Sequence, residues 1–293
     1  MKLLVTGARG LLGTEVVRTA AARAHDVLAL GRAELDVTSA EDVRRTLERA
    51  RPDAVLHMAA YTAVDRAEAE AEAREAHAVN VGGTRTVAAA AAAVGAAVVY
   101  PSTDYVFDGA KSAPYLPDDG PRPLSVYGAT KLEGERAATA SRAVLAPNAL
   151  VVRTSWLYGG AGRNFVSGML ERAERGERLR VVDDQTGTPT WTRHVAEGIV
   201  ELLERGARGV WHVTDRGACT WCELAREALR LRGMDVAVEG VTSAEWAAAA
   251  ERPSYSVLDL SATEAFLGRR MIPWQEALAR YLAERVGNDR TRP

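Results

Sequence analysis

Lys2-Leu3-Leu4-Val5-Thr6-Gly7-Ala8-Arg9-Gly10-Leu11-Leu12-Gly13 decides the fold of this chain. Lys2 to Thr6 read as a short buried strand, and Leu12, Val16 and Val17 carry helical spacing through Leu11 to Arg23. Between strand and helix, glycines fall at 7, 10 and 13. Gly7 permits a tight turn, Gly10 lets the backbone approach a pyrophosphate, and Gly13 lets the helix pack close to the sheet. The helix N-terminus then offers free N–H groups and the positive end of its dipole to an anion. A glycine triplet alone is weak evidence. Set between a strand and a helix, it predicts dinucleotide binding.

Outward from this turn the pattern repeats. Asp26–Leu30, Ala54–Met58, Ala96–Tyr100 and Val151–Arg153 read as strands; Ala40–Ala50, with Ser39 as N-cap, and Ala67–Gly95 read as helices. Strands alternating with helices predict an α/β, Rossmann-type, doubly wound parallel sheet. Val27-Leu28-Ala29-Leu30 is apolar on both faces, which suits a sheet covered on both sides. Gly109–Val126, with four prolines and Gly120, reads as an ordered excursion or lid before a helix near Tyr127. Helices are expected at 164–175, 192–205, 220–232, 243–251 and 273–285, joined by short strands. The expected division is a cofactor-binding domain over 1–150 and a smaller α/β substrate-binding domain over 151–293, with some segments of the second half returning to the first. The tail from Gly287 to Pro293 is polar and expected to fray.

Composition narrows the function classes. The 293 residues carry a net charge of −2, with 47% hydrophobic and 26% charged residues. That is close to the average for globular proteins and argues against disorder. Near-neutral charge gives no reason to expect nucleic-acid binding. No apolar run approaches the ~20 residues of a membrane span, and the apolar start is too short for a signal-peptide core. Two cysteines cannot form a disulfide framework. A cytoplasmic protein is expected.

Of the 37 basic residues only Lys2, Lys111 and Lys131 are lysine, which reads as base-composition bias toward arginine. An arginine therefore says little here, and a lysine says more. At the end of the second strand, where dinucleotide folds place an acid on the ribose 2′-hydroxyl, the chain has Gly31-Arg32. A guanidinium there favours a 2′-phosphate and hence NADPH. Glu34 lies close enough to keep NADH as the alternative.

Tyr127 and Lys131 stand four apart, which on a helix puts them on one face. A tyrosine titrates near ~10, and a neighbouring ammonium is expected to lower that value. Such a pair can give a proton to, or take one from, a carbonyl or alcohol oxygen. Thr103 falls at the carboxyl end of the fourth strand, where ligands bind in doubly wound sheets, in position to hydrogen-bond the reacting oxygen.

Together these elements resemble the extended short-chain dehydrogenase/reductase superfamily. Within it the chain resembles the dTDP-4-dehydrorhamnose reductase family from residue 1 to about 280. The specific segments are Ala59–Asp65, Ser102–Gly109, Arg153–Gly159, Asn164-Phe165, Asp184–Thr190, and Arg252-Pro253 leading to Leu258-Asp259. The resemblance implies NADPH-dependent reduction of the C4 keto group of a dTDP-4-keto-6-deoxy-L-hexose. Tyr127 would donate the proton, Lys131 would partner it and anchor the ribose, and Thr103 would bond the substrate. Gly7, Gly10, Leu11, Leu12, Gly13, Arg32, Asp36, Val37, Ala59, Ala60, Tyr61 and Thr62 would line the cofactor. Asp104, Trp156 and Asn164 would touch the sugar or nucleotide. The resemblance leaves a homodimer open.

Some members of this family bind magnesium at a dimer interface. Glu15 matches one ligand position, but Arg193 stands where the other acid is expected, so no metal is expected. Cys219 and Cys222 form a C-x-x-C without a second pair or a histidine cluster, and are expected to be unrelated thiols. His57, His77, His194 and His212 are expected to be structural. Two other functions stay in view. One is a sugar-nucleotide epimerase or dehydratase, although Tyr105 follows Asp104 where the dehydratases carry glutamate. The other is a non-catalytic NADP-binding regulatory subunit.

Overall fold

The structure is a computed structural model that describes residues 1–140, 148–160 and 162–289. In chain order its strands are β1 (Lys2–Thr6), β2 (Asp26–Leu30), β3 (Ala54–His57), β4 (Ala97–Thr103), β5 (Ala149–Thr154), β6 (Leu157–Tyr158), β7 (Leu179–Val182), β8 (Thr186–Gly187), β9 (Thr190–Trp191), β10 (Gly209–His212), β11 (Cys219–Thr220) and β12 (Val238–Val241). The helices are α1 (Leu11–Ala22), α2 (Ala40–Ala50), α3 (Glu70–His77), α4 (Thr84–Val94), α5 (Val126–Thr139), α6 (Phe165–Glu174), α7 (Thr192–Glu204), α8 (Trp221–Leu231), α9 (Ser243–Trp246), α10 (Ser261–Leu267) and α11 (Trp274–Asp289).

Six parallel strands form the central sheet in the order β10-β5-β4-β3-β1-β2. Alternation along β1 explains the two layers of helices. Leu3 and Val5 pack with Val16 of α1 and Val195 and Ile199 of α7 on one face. Leu4 packs with Val43 and Leu47 of α2 and Val87 and Ala91 of α4 on the other. From β1 the chain turns one way to β2 and then back past β1 to β3. That reversal opens a crevice at the carboxyl ends of β1 and β3, where doubly wound sheets bind ligands. The shorter pairs β7–β12, β8–β11 and β6–β9 lie beyond the main sheet. A second core, built from Trp156, Tyr158, Leu170, Trp191, Leu224, Trp274 and Leu278, packs there. No helix among the described residues is long and apolar enough to cross a membrane.

Several expectations need correction. β2 is an edge strand, and Leu28 stays 37% exposed, so its apolar run does not mean cover on both faces. The expected helix over 67–95 is broken. A 3₁₀ turn at Arg66–Glu68 and α3 are followed by a π-helical stretch, Ala78–Gly83, before α4. The helix expected over 243–251 ends at Trp246, because Ala247 adopts left-handed backbone with φ +50°. Helix α11 runs past Arg285 to Asp289, so the expected fraying at 287–289 is replaced by helix, and residues 290–293 lie outside the described residues. The excursion is ordered: Tyr115 stacks on Phe107 at 4.1 Å and its backbone bonds Val257 and Asp259.

Candidate active site

A cavity of about 790 Å³ occupies the crevice beside β1 and β3. Gly7, Gly10, Arg32, Asp36, Val37, Ala59, Ala60, Tyr61 and Thr62 line it. Leu11, Leu12 and Gly13 are not in its wall. Leu12 belongs to the core, and Leu11 turns its carbonyl toward Gly160. Gly7 has φ +59°, and a Cβ there would lie 2.5 Å from the Ala59 nitrogen. A Cβ on Gly13 would lie 2.2 Å from the Gly7 carbonyl oxygen, so Gly13 lets α1 close on the turn itself. Gly10 is the N-cap of α1 with no side-chain cap. This bare cradle fits a dinucleotide pyrophosphate. At the rim Glu34 is engaged by the Gly31 N–H at 2.9 Å and by Arg9. Arg32 is exposed and lies 3.3 Å from Glu75. Asp36 accepts from both the N–H and the hydroxyl of Thr38, which holds its carboxyl below the usual range.

Thr103 ends β4, and Tyr127 and Lys131 lie in the first two turns of α5, capped by Ser125. All three are in place around the strand end, but their electrostatics differ from expectation. Burial pushes the Tyr127 phenol well above its ordinary value, and the Asp104 carboxylate adds to this; the Thr103 hydroxyl works the other way. Lys131 donates to the Pro101 carbonyl at 2.7 Å and stands 4.0 Å over the Tyr100 ring. A buried ammonium needs an acceptor, and β4 supplies one, so the ammonium does not lower Tyr127. Burial brings Lys131 itself down to about 7, with Glu135 opposing. The phenol therefore holds its proton, which suits a proton donor.

A second cavity, of about 640 Å³, opens between α6, β7, α8 and the segment after α9. Phe165, Trp221 and Trp246 give it aromatic wall, and Arg172, Arg180 and Arg252 give it positive charge. Arg252 forms a two-pronged ion pair with Asp65, at 2.9 and 2.7 Å, joining this cavity's wall to the segment that follows Thr62. Its charge opposes the burial that raises the Tyr105 phenol, and the Tyr105 ring meets Tyr127 edge-on with centroids 6.3 Å apart.

The residues expected to touch substrate each have partners within the fold. Asp104 is buried and bonded by Thr103 and Ser256. Asn164 is the N-cap of α6, accepting from the Ser167 N–H at 3.1 Å in a capping box. Trp156 is buried under the second cavity, stacked on Trp221 at 3.7 Å and pressed on Gly187. Its φ of +46° is a strained backbone for a bulky residue.

Sequence reasoning missed Asn80. Its buried amide accepts from Tyr61 N–H and donates to Tyr61 carbonyl and Thr130, tying the cofactor wall to α5. The signal was the Asn80-Val81-Gly82-Gly83 interruption in an alanine-rich helix. It also missed the buried pair of Arg153 on β5 and Glu135 on α5, bonded at 2.9 and 2.8 Å.

Glu15 is bonded by Arg18 at 2.6 Å, and Arg193 lies 3.9 Å away while pairing with Glu284. Positive charge thus stands against the carboxylate that a cation would need. Burial raises both Cys219 and Cys222, the opposite of a reactive thiolate. His57 is held between Thr6 and Thr84, and burial lowers it to about 3. His212 is lowered to about 4, His194 bonds Asp215 at 2.6 Å, and exposed His77 faces Glu133 at 3.2 Å.

The chain as a whole has close relatives. The family model described as "RmlD substrate binding domain" matches residues 1–286. A dTDP-4-dehydrorhamnose reductase from Streptomyces griseus is 44% identical over 281 residues, 94% of this chain and 91% of that one. A dTDP-4-keto-6-deoxy-D-glucose reductase from Streptomyces niveus is 41% identical over 256 residues, 87% of each. A crystal structure of dTDP-4-dehydrorhamnose reductase from Bacillus anthracis in complex with NADP superposes with a TM-score of 0.91 at 36% identity, covering 97% of this chain and 100% of that one. The chain belongs to the RmlD substrate binding domain family, that of the dTDP-4-dehydrorhamnose reductases.

Proposed function

We propose that the chain uses NADPH to reduce the C4 keto group of dTDP-4-dehydro-6-deoxy-L-mannose (dTDP-4-dehydrorhamnose), giving dTDP-L-rhamnose or a close dTDP-6-deoxysugar. The observation that carries this reading is the proton-holding Tyr127 beside Thr103, at the same end of the sheet as the glycine cradle. The Streptomyces reductases and the NADP complex from Bacillus anthracis support it.

Bound NADPH supplies the hydride. Gly7, Gly10, Asp36, Val37 and Ala59–Thr62 would hold it, with Lys131 anchoring its ribose. Tyr127 gives its phenolic proton to the keto oxygen, and Thr103 orients that oxygen. The arginines and aromatic rings of the second cavity suit a nucleoside diphosphate, which carries negative charge and a flat base. The proposal includes a cytoplasmic location, and a homodimer that sedimentation would test.

The decisive experiment is NADPH oxidation with dTDP-4-keto-6-deoxyglucose, with and without a 3,5-epimerase, followed by NMR of the product. Turnover only with the epimerase, giving the L-sugar, is the expected result. Turnover without it would favour the unepimerised sugar that the Streptomyces niveus relative's name describes. No oxidation in either case would sink the reductase reading.

Cofactor choice is tested at Arg32. Arg32→Ala should lower the NADPH-over-NADH ratio of kcat/KM about tenfold, the loss of one charge-assisted hydrogen bond. An unchanged ratio would remove Arg32 from the selection of a 2′-phosphate.

A further inference from the structure

Asp104 is 2% exposed and both of its carboxylate oxygens are engaged. Oδ1 accepts the Thr103 hydroxyl at 3.0 Å, and Oδ2 accepts the Ser256 hydroxyl at 2.6 Å. Ser256 is itself fixed, since its backbone N–H bonds the Thr186 carbonyl at 2.8 Å on β8. The Thr103 oxygen also accepts the Tyr105 N–H at 3.2 Å.

A hydroxyl has one hydrogen and two lone pairs. In this arrangement the Thr103 hydrogen is committed to Asp104, and Tyr105 takes one lone pair. Only a lone pair is left for the site, and a ketone oxygen also offers only lone pairs. With Asp104 ionised, Thr103 can accept from the Tyr127 phenol but cannot bond the ketone. A proton on Oδ1 reverses the bond: Asp104 donates to the Thr103 oxygen, and the Thr103 hydrogen is released toward the site.

Resting on the reductase reading, we propose that Asp104, held by Ser256, is a positioning residue that enters the productive complex as a neutral acid and makes Thr103 a hydrogen-bond donor to the keto oxygen. Asp104 gives no proton to the product. The proton that reaches the oxygen comes from Tyr127 as the hydride reaches C4, and Asp104 keeps its own.

The surroundings favour the neutral acid. Burial raises the Asp104 carboxyl to about 7, and the hydroxyls of Ser256 and Thr103 offset this only in part. The titratable groups around it are Tyr105 on its own segment and Tyr127 from α5. From the segment that carries Ser256, Arg252 is paired with Asp65 at 2.7 Å. Lys131, farther along α5, is also brought to about 7 and is turned to Pro101. The Thr103 donor is thus present below about 7 and lost as the pH rises through that value.

The first test needs no substrate, so its outcome is separable from the choice of sugar. In protein labelled with ¹³C at the aspartate carboxyls, the resonance that disappears in Asp104→Asn belongs to Asp104. It should titrate near neutrality, and its midpoint should rise in Ser256→Ala, where a hydroxyl that bonds the ionised form is gone. A midpoint in the ordinary carboxylate range, or one that falls in Ser256→Ala, overturns the proposal. The second test is the pH profile of reduction. The amide of Asp104→Asn can donate to Thr103 while its carbonyl accepts from Ser256, as the neutral acid does. This variant should keep kcat within about tenfold of the acid plateau and show a shallower alkaline limb; Asp104→Ala, which removes the acceptor that captures the Thr103 hydrogen, should show the shallower limb too. An Asp104→Asn enzyme with the wild-type limb, or a folded one inactive at every pH, overturns the proposal.

Discussion

Replacing Tyr127 by phenylalanine should lower kcat by about 10²- to 10⁴-fold, the usual contribution of general-acid catalysis. That corresponds to roughly 3–5 kcal/mol of barrier. The ring is retained, so the edge-on contact with Tyr105 survives and stability should change little. NADPH affinity, read by fluorescence titration, should stay close to wild type. Lys131→Met should act differently. It removes the charge that bonds the Pro101 carbonyl and would hold the ribose, so both turnover and cofactor affinity should fall. Thr103→Val should lower kcat less than Tyr127→Phe, because in the proposed mechanism it deletes one hydrogen bond to the keto oxygen. The contrast is the test: tyrosine acts on chemistry, lysine on chemistry and binding. A Tyr127→Phe enzyme within about threefold of wild type, where hydride transfer is shown to limit the rate, would remove the general acid from the mechanism.

The largest loss of stability is expected from Arg153→Met. Arg153 and Glu135 are almost fully buried, with side-chain exposures of 4% and 7%. Two hydrogen bonds join them, and a third from Arg153 reaches the Pro117 carbonyl at 3.1 Å. One ion pair therefore pins α5, with its Tyr127 and Lys131, to β5 and to the ordered excursion. Methionine at 153 would leave the Glu135 carboxylate buried without a partner, which costs about 3–5 kcal/mol. Urea unfolding should show this as a lower midpoint with an unchanged slope. Adding Glu135→Met should restore much of the loss, since two apolar side chains leave no unpaired charge. If the single variant lost less than about 1 kcal/mol, the usual worth of an exposed pair, the pin would be no more than a surface contact.

What the sequence made legible was local. The glycine turn, the strand ends and the Tyr127/Lys131 spacing are fixed by residues close together in the chain, and the structure keeps each of them. What stayed hidden depends on distant partners. Ser256 reaches Asp104 across 152 positions and Arg252 reaches Asp65 across 187, and no periodicity reports either. Asn164 illustrates a different ambiguity: a short polar residue before a helix serves equally as a cap or a ligand, and here its side chain caps α6. The electrostatics of Tyr127 were misjudged because spacing on a helix does not tell which acceptor will capture the lysine. The edge position of β2 was hidden because an apolar run reads alike in the middle of a sheet and at its margin.

Trp156 and Gly187 cannot drift independently through descent. An alanine at 187 would set its Cβ 2.4 Å from Cε2 of the indole, so a side chain at 187 and tryptophan at 156 compete for the same space. A smaller residue at 156 would free Trp221 from its stack and open a void that alanine at 187 would begin to fill. The two positions are therefore epistatic: either change alone is harmful, and each is milder once the other has occurred. Contacts of this kind couple by about 0.5–3 kcal/mol. The pair works as a ratchet, because once the ring has settled on the glycine, the way back runs through an intermediate less stable than either end.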